Sequence, residues 1–171
     1  MREELFKNCT LCPRKCNVNR LEGKRGYCGM DSTIRAARAA LHMWEEPCIS
    51  GKKGSGAVFF SGCGLRCCFC QNSVLSKDHF GKELTVHELG DAFLRLQDKG
   101  AYNINLVTPT QFFPDIIKAL DLVRHKLHIP VVCNCGGYER PEIISLLKDY
   151  IDIWLPDFKY FDNELAFRYS K

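Results

Sequence analysis

The sequence predicts an α/β fold built on a parallel sheet, and three observations predict it. From Ala57 onward, short apolar runs alternate with amphipathic stretches, one pair roughly every 25–30 residues, which is the rhythm of βα units. Several apolar runs are continuous rather than alternating, as strands buried on both faces must be. Each run also ends in polar or unusual residues, and parallel α/β folds bind ligands at the carboxyl ends of their strands. The 171 residues suit one ordinary domain, and 46% hydrophobic content is enough for a packed core.

The elements are justified in order. Residues 1–30 are cysteine-rich, basic and short of core apolars, which predicts a loop-rich knot. "TIRAARAALHMWEEP" (33–47) favours a helix by its alanines and a strand by its shortness and the loop that follows. "GKKGSG" (51–56) is a turn. "AVFFSG" (57–62) is the first buried strand. Thr85 and Glu88 form a capping box for a helix over 85–100, with Val86, Leu89, Phe93 and Leu96 on one face and Gly100 at its end. The second strand, 103–107, is stopped by Pro109. A helix over 114–127 carries His125 and Lys126 in its last turn. The third strand is 130–133, the third helix (140–150) starts with proline, and the fourth strand is 151–155. This divides the chain into a cysteine-rich segment with its connection, 1–50, and an α/β core, 51–171.

Charge excludes some function classes. The net charge of +4 is small and scattered, and its densest stretch, 14–25, is tied up with cysteines, so no nucleic-acid groove is expected. No run reaches the ~18 apolar residues of a membrane span, and the first residues lack the apolar centre of a signal peptide. A cytoplasmic protein is expected, in which thiols stay reduced. Eleven cysteines, an odd number, are then better read as metal or cluster ligands than as disulfides.

"SGCGLRCCFCQN" (61–72) follows the first strand directly. Cys63, Cys67 and Cys70 make a C-x3-C-x2-C spacing, with Cys68 left over as a packing residue. Thiolate is a soft, charged ligand for iron or zinc. A cubane cluster held by three thiolates leaves one iron open to a substrate. The competing readings are a zinc knuckle completed by a distant cysteine, and buried cysteines acting as small hydrophobes. A second set, Cys9, Cys12, Cys16 and Cys28, spaced C-x2-C-x3-C-x11-C, lies in a segment that needs a staple to be ordered. Zinc and a second iron–sulfur cluster both fit it. Cys48 and Cys133 read as ordinary buried cysteines, and His42 as a packing residue.

"CGLRCCFC" resembles the C-x3-C-x-aromatic-C signature of radical S-adenosylmethionine enzymes, with Phe69 at the aromatic position. "CTLCPRKCNVNRLEGKRGYCG", "WEEPCISGKKGSGAVFFSGC", "FCQN", "NLVTPT" and "LPDFKY" are similar to one branch of that superfamily, the pyruvate formate-lyase activating enzyme-like proteins. The resemblance implies a partial (βα) barrel, about four of six βα units here, preceded by the cysteine-rich segment. It implies a [4Fe-4S] cluster on Cys63, Cys67 and Cys70 whose open iron chelates S-adenosylmethionine. One-electron reduction then gives methionine and a 5′-deoxyadenosyl radical that takes hydrogen from a substrate, a backbone glycine of a glycyl radical enzyme in the activating enzymes. A flavodoxin or ferredoxin is the implied reductant. No residue beyond the cluster ligands is assigned to catalysis. The implied cofactor-binding residues are Phe69 against the adenine, carbonyls near Thr108 and Thr110 for the methionine amine, and Asn134, Asp157 and Lys159 at the last two strand ends. Cys135 and Asn134 replace the Asp/Thr that hold a monovalent cation in similar enzymes, so the cation is not carried over. The resemblance also makes the chain look like a truncated or split member with an open pocket. Two other classes remain open from the sequence: a non-catalytic iron–sulfur electron carrier and a zinc-binding interaction module.

Overall fold

A computed structural model of the chain describes residues 2–170. In chain order its elements are α1 (Arg2–Lys7), β1 (Ile34–His42), α2 (Pro47–Ser50), β2 (Ser55–Phe60), α3 (Ser73–Ser76), β3 (Lys82–Leu84), α4 (Val86–Asp98), β4 (Ile104–Val107), α5 (Phe113–Val123), β5 (Val131–Cys135), α6 (Pro141–Leu147), β6 (Ile153–Pro156) and α7 (Asn163–Ser170), with 3-10 turns at Arg20–Glu22 and Thr110–Phe112. One six-stranded sheet runs in the order β3-β1-β2-β4-β5-β6.

The four predicted strands are β2, β4, β5 and β6. They are adjacent and parallel, as consecutive βα units require. Register levels their carboxyl ends: Phe59 pairs with Val107, Val107 with Asn134 and Asn134 with Leu155. The cluster loop, Thr108 and the residues after β5 and β6 therefore share one rim. This is a partial, open (βα) sheet of the kind that the resemblance implies.

The ambiguous alanine-rich stretch is a strand. β1 runs antiparallel to β2 and to the short β3, so sheet pairing overrides the helix preference of its alanines. The predicted capping box is present: the Glu88 backbone N–H donates to Thr85 Oγ1 at 3.1 Å and the Thr85 N–H donates to Glu88 Oε2 at 2.8 Å.

Val58, Phe60, Ile104 and Leu106 of the sheet pack with Leu89, Phe93 and Leu96 of α4 and with Ile116 and Leu120 of α5 in one core. Gly90 lets the two helices close up, because a Cβ there would stand 3.0 Å from Val123 Cγ1. Phe6, Leu11 and Met30 of the cysteine-rich segment are buried in the same core, which is thus continuous across residue 50. That segment has more core than its composition suggests. Cys133 is buried as expected, whereas Cys48 is exposed, because it lies on the outer side of the single turn of α2.

Candidate active site

A cavity of about 460 Å³ opens at the carboxyl ends of the parallel strands. Cys63, Cys67, Cys70 and Phe69 of the loop after β2 line it, together with Thr108 after β4, Asn134 and Cys135 of β5, and Asp157 and Lys159 after β6. Phe59, Val107 and Leu65 give it an apolar floor and side. A second cavity of about 390 Å³ shares Leu65, Gly136, Asp157, Phe158 and Lys159 with the first and extends it toward α7.

The loop sorts its four sulfurs. Cys68 is exposed, and its backbone N–H is held by the Tyr169 carbonyl at 2.9 Å. The other three each accept a hydrogen bond: Cys67 Sγ from Ser170 Oγ at 2.8 Å, Cys63 Sγ from the Leu65 N–H at 3.4 Å, and Cys70 Sγ from Ser76 Oγ at 3.5 Å. Donors of this kind stabilise thiolate and tune a cluster bound to it. Burial pushes the Cys63 thiol up, and the backbone N–H groups of Arg66 and Leu65 pull it partly back. Among the described residues no three His, Cys, Asp or Glu side chains converge closely enough to share a single metal ion. The thiolates of a cubane cluster each bind a different iron and stand farther apart than that. Three thiols on one cavity wall, at C-x3-C-x2-C sequence spacing, are a donor set that suits a cluster.

The residues expected to bind cofactor are placed unequally. Thr108 adopts φ +54, a left-handed conformation that a β-branched residue seldom takes, and such strain gathers at functional sites. Its carbonyl already accepts from Gln111 Nε2 at 2.8 Å, which leaves one lone pair free. Thr110 lies outside the main cavity. The 3-10 turn points its hydroxyl at Glu139 Oε1, 2.8 Å away, so that hydroxyl faces away from the main cavity's lining. Phe69 lines the cavity with its ring edge-to-face on Tyr160, centroids 6.0 Å apart. Asp157 and Lys159 form an ion pair with each other. Burial works against the Lys159 ammonium, but the bond to Asp157 and the charges of Asp157, Cys67 and Cys63 outweigh it, and the net shift is upward. Lys159 is thus a fixed cation beside the cysteines. Gly136 lets the cluster loop close in, because a Cβ there would meet Leu65 Cδ1 at 2.7 Å, and Gly137 lets the chain leaving β6 approach, because a Cβ there would meet the Asp157 carbonyl oxygen at 2.5 Å.

Three supporting residues escaped the sequence reading. Gln111 Nε2 donates to the carbonyls of Ser61 at 2.8 Å and Gly62 at 3.1 Å as well as to Thr108, and so pins the start of the cluster loop to the end of β4. Glu45, from the loop after β1, accepts from Asn134 Nδ2 at 3.1 Å and stands 3.8 Å from His42 Nε2. His42 itself packs edge-on against the Phe59 ring, centroids 5.7 Å apart. Arg14 donates to the carbonyls of Gly64 at 2.9 Å and Ser170 at 2.8 Å. The sequence reading named the carbonyls near Thr108 and Thr110, and the Gln111 amide beside them also bonds into the site.

Fold and site together define an iron–sulfur α/β protein that holds its ligand at the mouth of a partial barrel. The chain belongs to the radical SAM superfamily: the family model described as "Radical SAM superfamily" matches residues 57–171. Membership implies a [4Fe-4S] cluster and S-adenosylmethionine. An uncharacterized protein of Methanocaldococcus jannaschii is 34% identical over 99% of this chain and 50% of its own length. A protein named pyruvate formate-lyase-activating enzyme, from Clostridium pasteurianum, is 30% identical over 63% of this chain and 46% of its own. The chain spans about half the length of these curated relatives. No solved structure matches it. No helix among the described residues is long and apolar enough to cross a membrane.

Proposed function

We propose that this chain carries the cofactor-binding half of an activating-type radical S-adenosylmethionine reaction, in which hydrogen is taken from a glycine of a partner protein. The observation that carries this reading is the single cavity onto which Cys63, Cys67, Cys70, Asn134, Asp157 and Lys159 all open. Cys63, Cys67 and Cys70 would hold the cluster, which when bound would supply the one-electron reduction that cleaves S-adenosylmethionine. The chain's own residues bind, orient and exclude water. Lys159, held by Asp157, presents its ammonium to the methionine carboxylate. The free lone pair of the Thr108 carbonyl accepts from the methionine amine. Phe69 offers a ring to the adenine, and Phe59, Val107 and Leu65 keep the reacting end dry. The adjoining cavity toward α7 gives the substrate segment its approach. The reductant in this reading is a flavodoxin or ferredoxin.

Anaerobic reconstitution with iron and sulfide, followed by assay for 5′-deoxyadenosine with dithionite, tests the chemistry. Deuterium transfer into 5′-deoxyadenosine from a peptide with an α-deuterated glycine tests the substrate class. Cofactor cleavage without deuterium transfer would retain the radical chemistry and overturn the glycine assignment. No cleavage by a chain extended to the length of its relatives would overturn both.

A further inference from the structure

Arg20 is fully buried. Its guanidinium donates through Nε to the Asp31 carbonyl at 3.1 Å and through Nη1 to the Gln111 carbonyl at 2.7 Å. Nη1 also reaches Cys9 Sγ at 3.9 Å, and the rings of Phe6 and Phe112 cover the group, with centroids at 4.6 and 5.8 Å. No carboxylate pairs with Arg20 among the described residues. A guanidinium cannot shed its proton, and a buried charge without a countercharge is costly. Four neutral thiols would leave this one uncompensated.

Four sulfurs share this neighbourhood. Cys12 lies within electrostatic reach of Cys9, Cys16 and Cys28. Cys12 accepts from the backbone N–H of Arg14, Cys28 from that of Met30, and Cys16 from that of Tyr27 at 3.2 Å. The first two repeat the two-residue offset by which Leu65 bonds Cys63. Gly26 leaves room beside two of them: a Cβ there would stand 3.4 Å from Cys16 Sγ and 3.9 Å from Cys28 Sγ. No three of the four meet at single-ion distance, and in this they match Cys63, Cys67 and Cys70.

We propose that Cys9, Cys12, Cys16 and Cys28 hold a second iron–sulfur cluster, with Arg20 as its buried countercharge. Four thiolates on such a cluster carry net negative charge, which supplies the partner Arg20 lacks. The centre lies against the first: a Cβ on Gly64, inside the Cys63 loop, would stand 3.4 Å from Cys12 Sγ. Arg20 and the Cys63 loop are also joined through Gln111, whose carbonyl takes Arg20 and whose amide takes Ser61 and Gly62. The proposal does not depend on which substrate the first centre serves.

The test is metal and sulfide content after anaerobic reconstitution, with Mössbauer and spin-resonance spectra. The wild-type chain should bind roughly eight irons, and the triple variant Cys63→Ala/Cys67→Ala/Cys70→Ala roughly four. Adding Cys9→Ala and Cys28→Ala should remove those as well. Wild type with roughly four irons and a triple variant with none would overturn the second cluster while leaving the first intact. Equal iron in wild type and triple variant would count against the first site instead, so the two readings fail separately. One zinc per chain retained by the triple variant would overturn the cluster assignment. In the triple variant, Arg20→Gln should make the reduction potential of the remaining centre more negative, because a nearby cation favours the reduced form. An unchanged potential would overturn the role of Arg20.

Discussion

Gly137→Ala is the sharpest probe of how β6 is brought to the site. Gly137 follows β5 at φ +71, and a Cβ built on it would stand 2.5 Å from the Asp157 carbonyl oxygen. Gly23 has nearly the same backbone, φ +75, with nothing within 4 Å of its Cβ. The pair separates two costs. The left-handed conformation costs an alanine about 1–2 kcal/mol. The stiffer unfolded chain returns about 0.4–1 kcal/mol. Gly23→Ala should therefore destabilise by about 0–1.6 kcal/mol. Gly137→Ala carries the same charge plus the overpacking of backbone on backbone, about 1–3 kcal/mol more. At ~2–4 °C per kcal/mol for a chain of this size, Gly137→Ala should unfold roughly 5–15 °C below wild type and Gly23→Ala only a few degrees below. Thermal unfolding of the anaerobically reconstituted protein, followed by circular dichroism, reads both. Relief of the clash must push back the Asp157 carbonyl and with it the Asp157–Lys159 pair, so S-adenosylmethionine should also bind more weakly to Gly137→Ala than to Gly23→Ala. Equal losses of stability and equal affinities in the two variants would refute the close-approach argument.

Three further outcomes are expected. Cys63→Ala, Cys67→Ala and Cys70→Ala should each lose roughly four irons on reconstitution, and Cys68→Ala none; iron lost on Cys68→Ala alone would mean a different ligand register. Lys159→Met should weaken S-adenosylmethionine binding about ten- to a hundredfold, the worth of a hydrogen bond to a charged group, with iron content unchanged; an unchanged affinity would remove Lys159 from the cofactor site. The Glu88 carboxyl is held below its ordinary value first by the Thr85 backbone N–H and then by the Thr85 hydroxyl. A depressed folded value stabilises above the unfolded pKa and is lost as pH falls through the folded one. Glu88→Gln should therefore lower the urea midpoint at pH 7 and lose its effect in acid, and a difference independent of pH would contradict this account.

Most of the sheet was legible because its signals are local. The strand predicted at 57–62 is β2 (Ser55–Phe60), and that at 151–155 is β6 (Ile153–Pro156). The helix announced by Thr85 and Glu88 begins at Val86. What was not legible is set by distant partners. β1 is a strand because β2 and β3 lie on either side of it, and β3 has three residues, too few for any periodicity. α7 follows the last predicted strand, with its single buried residue, Ser170, bonded to Cys67 far back in the chain.

The site shows the same division at finer grain. Reasoning from strand ends finds the rim of the barrel, because register alone puts Thr108, Asn134 and Asp157 on the side of Cys63. It does not say which of two neighbours faces the rim. Thr110 and Gln111 are adjacent, both are buried, and both can hydrogen-bond. The turn gives the hydroxyl to Glu139 and the amide to the cluster loop. Pattern also cannot say which charges have already met: Asp157 and Lys159 look like two ligand groups and form one ion pair. The cysteine-rich segment carries this furthest. Its composition predicts a knot with little core, but Arg14 bonds both Gly64 and Ser170, while Phe6 and Leu11 enter the main core. A segment joined in this way to the cluster loop and to α7 cannot loosen without moving the ligand loop. Arg14 and Gln111 thus tie the N-terminal segment to the loop that carries Cys63.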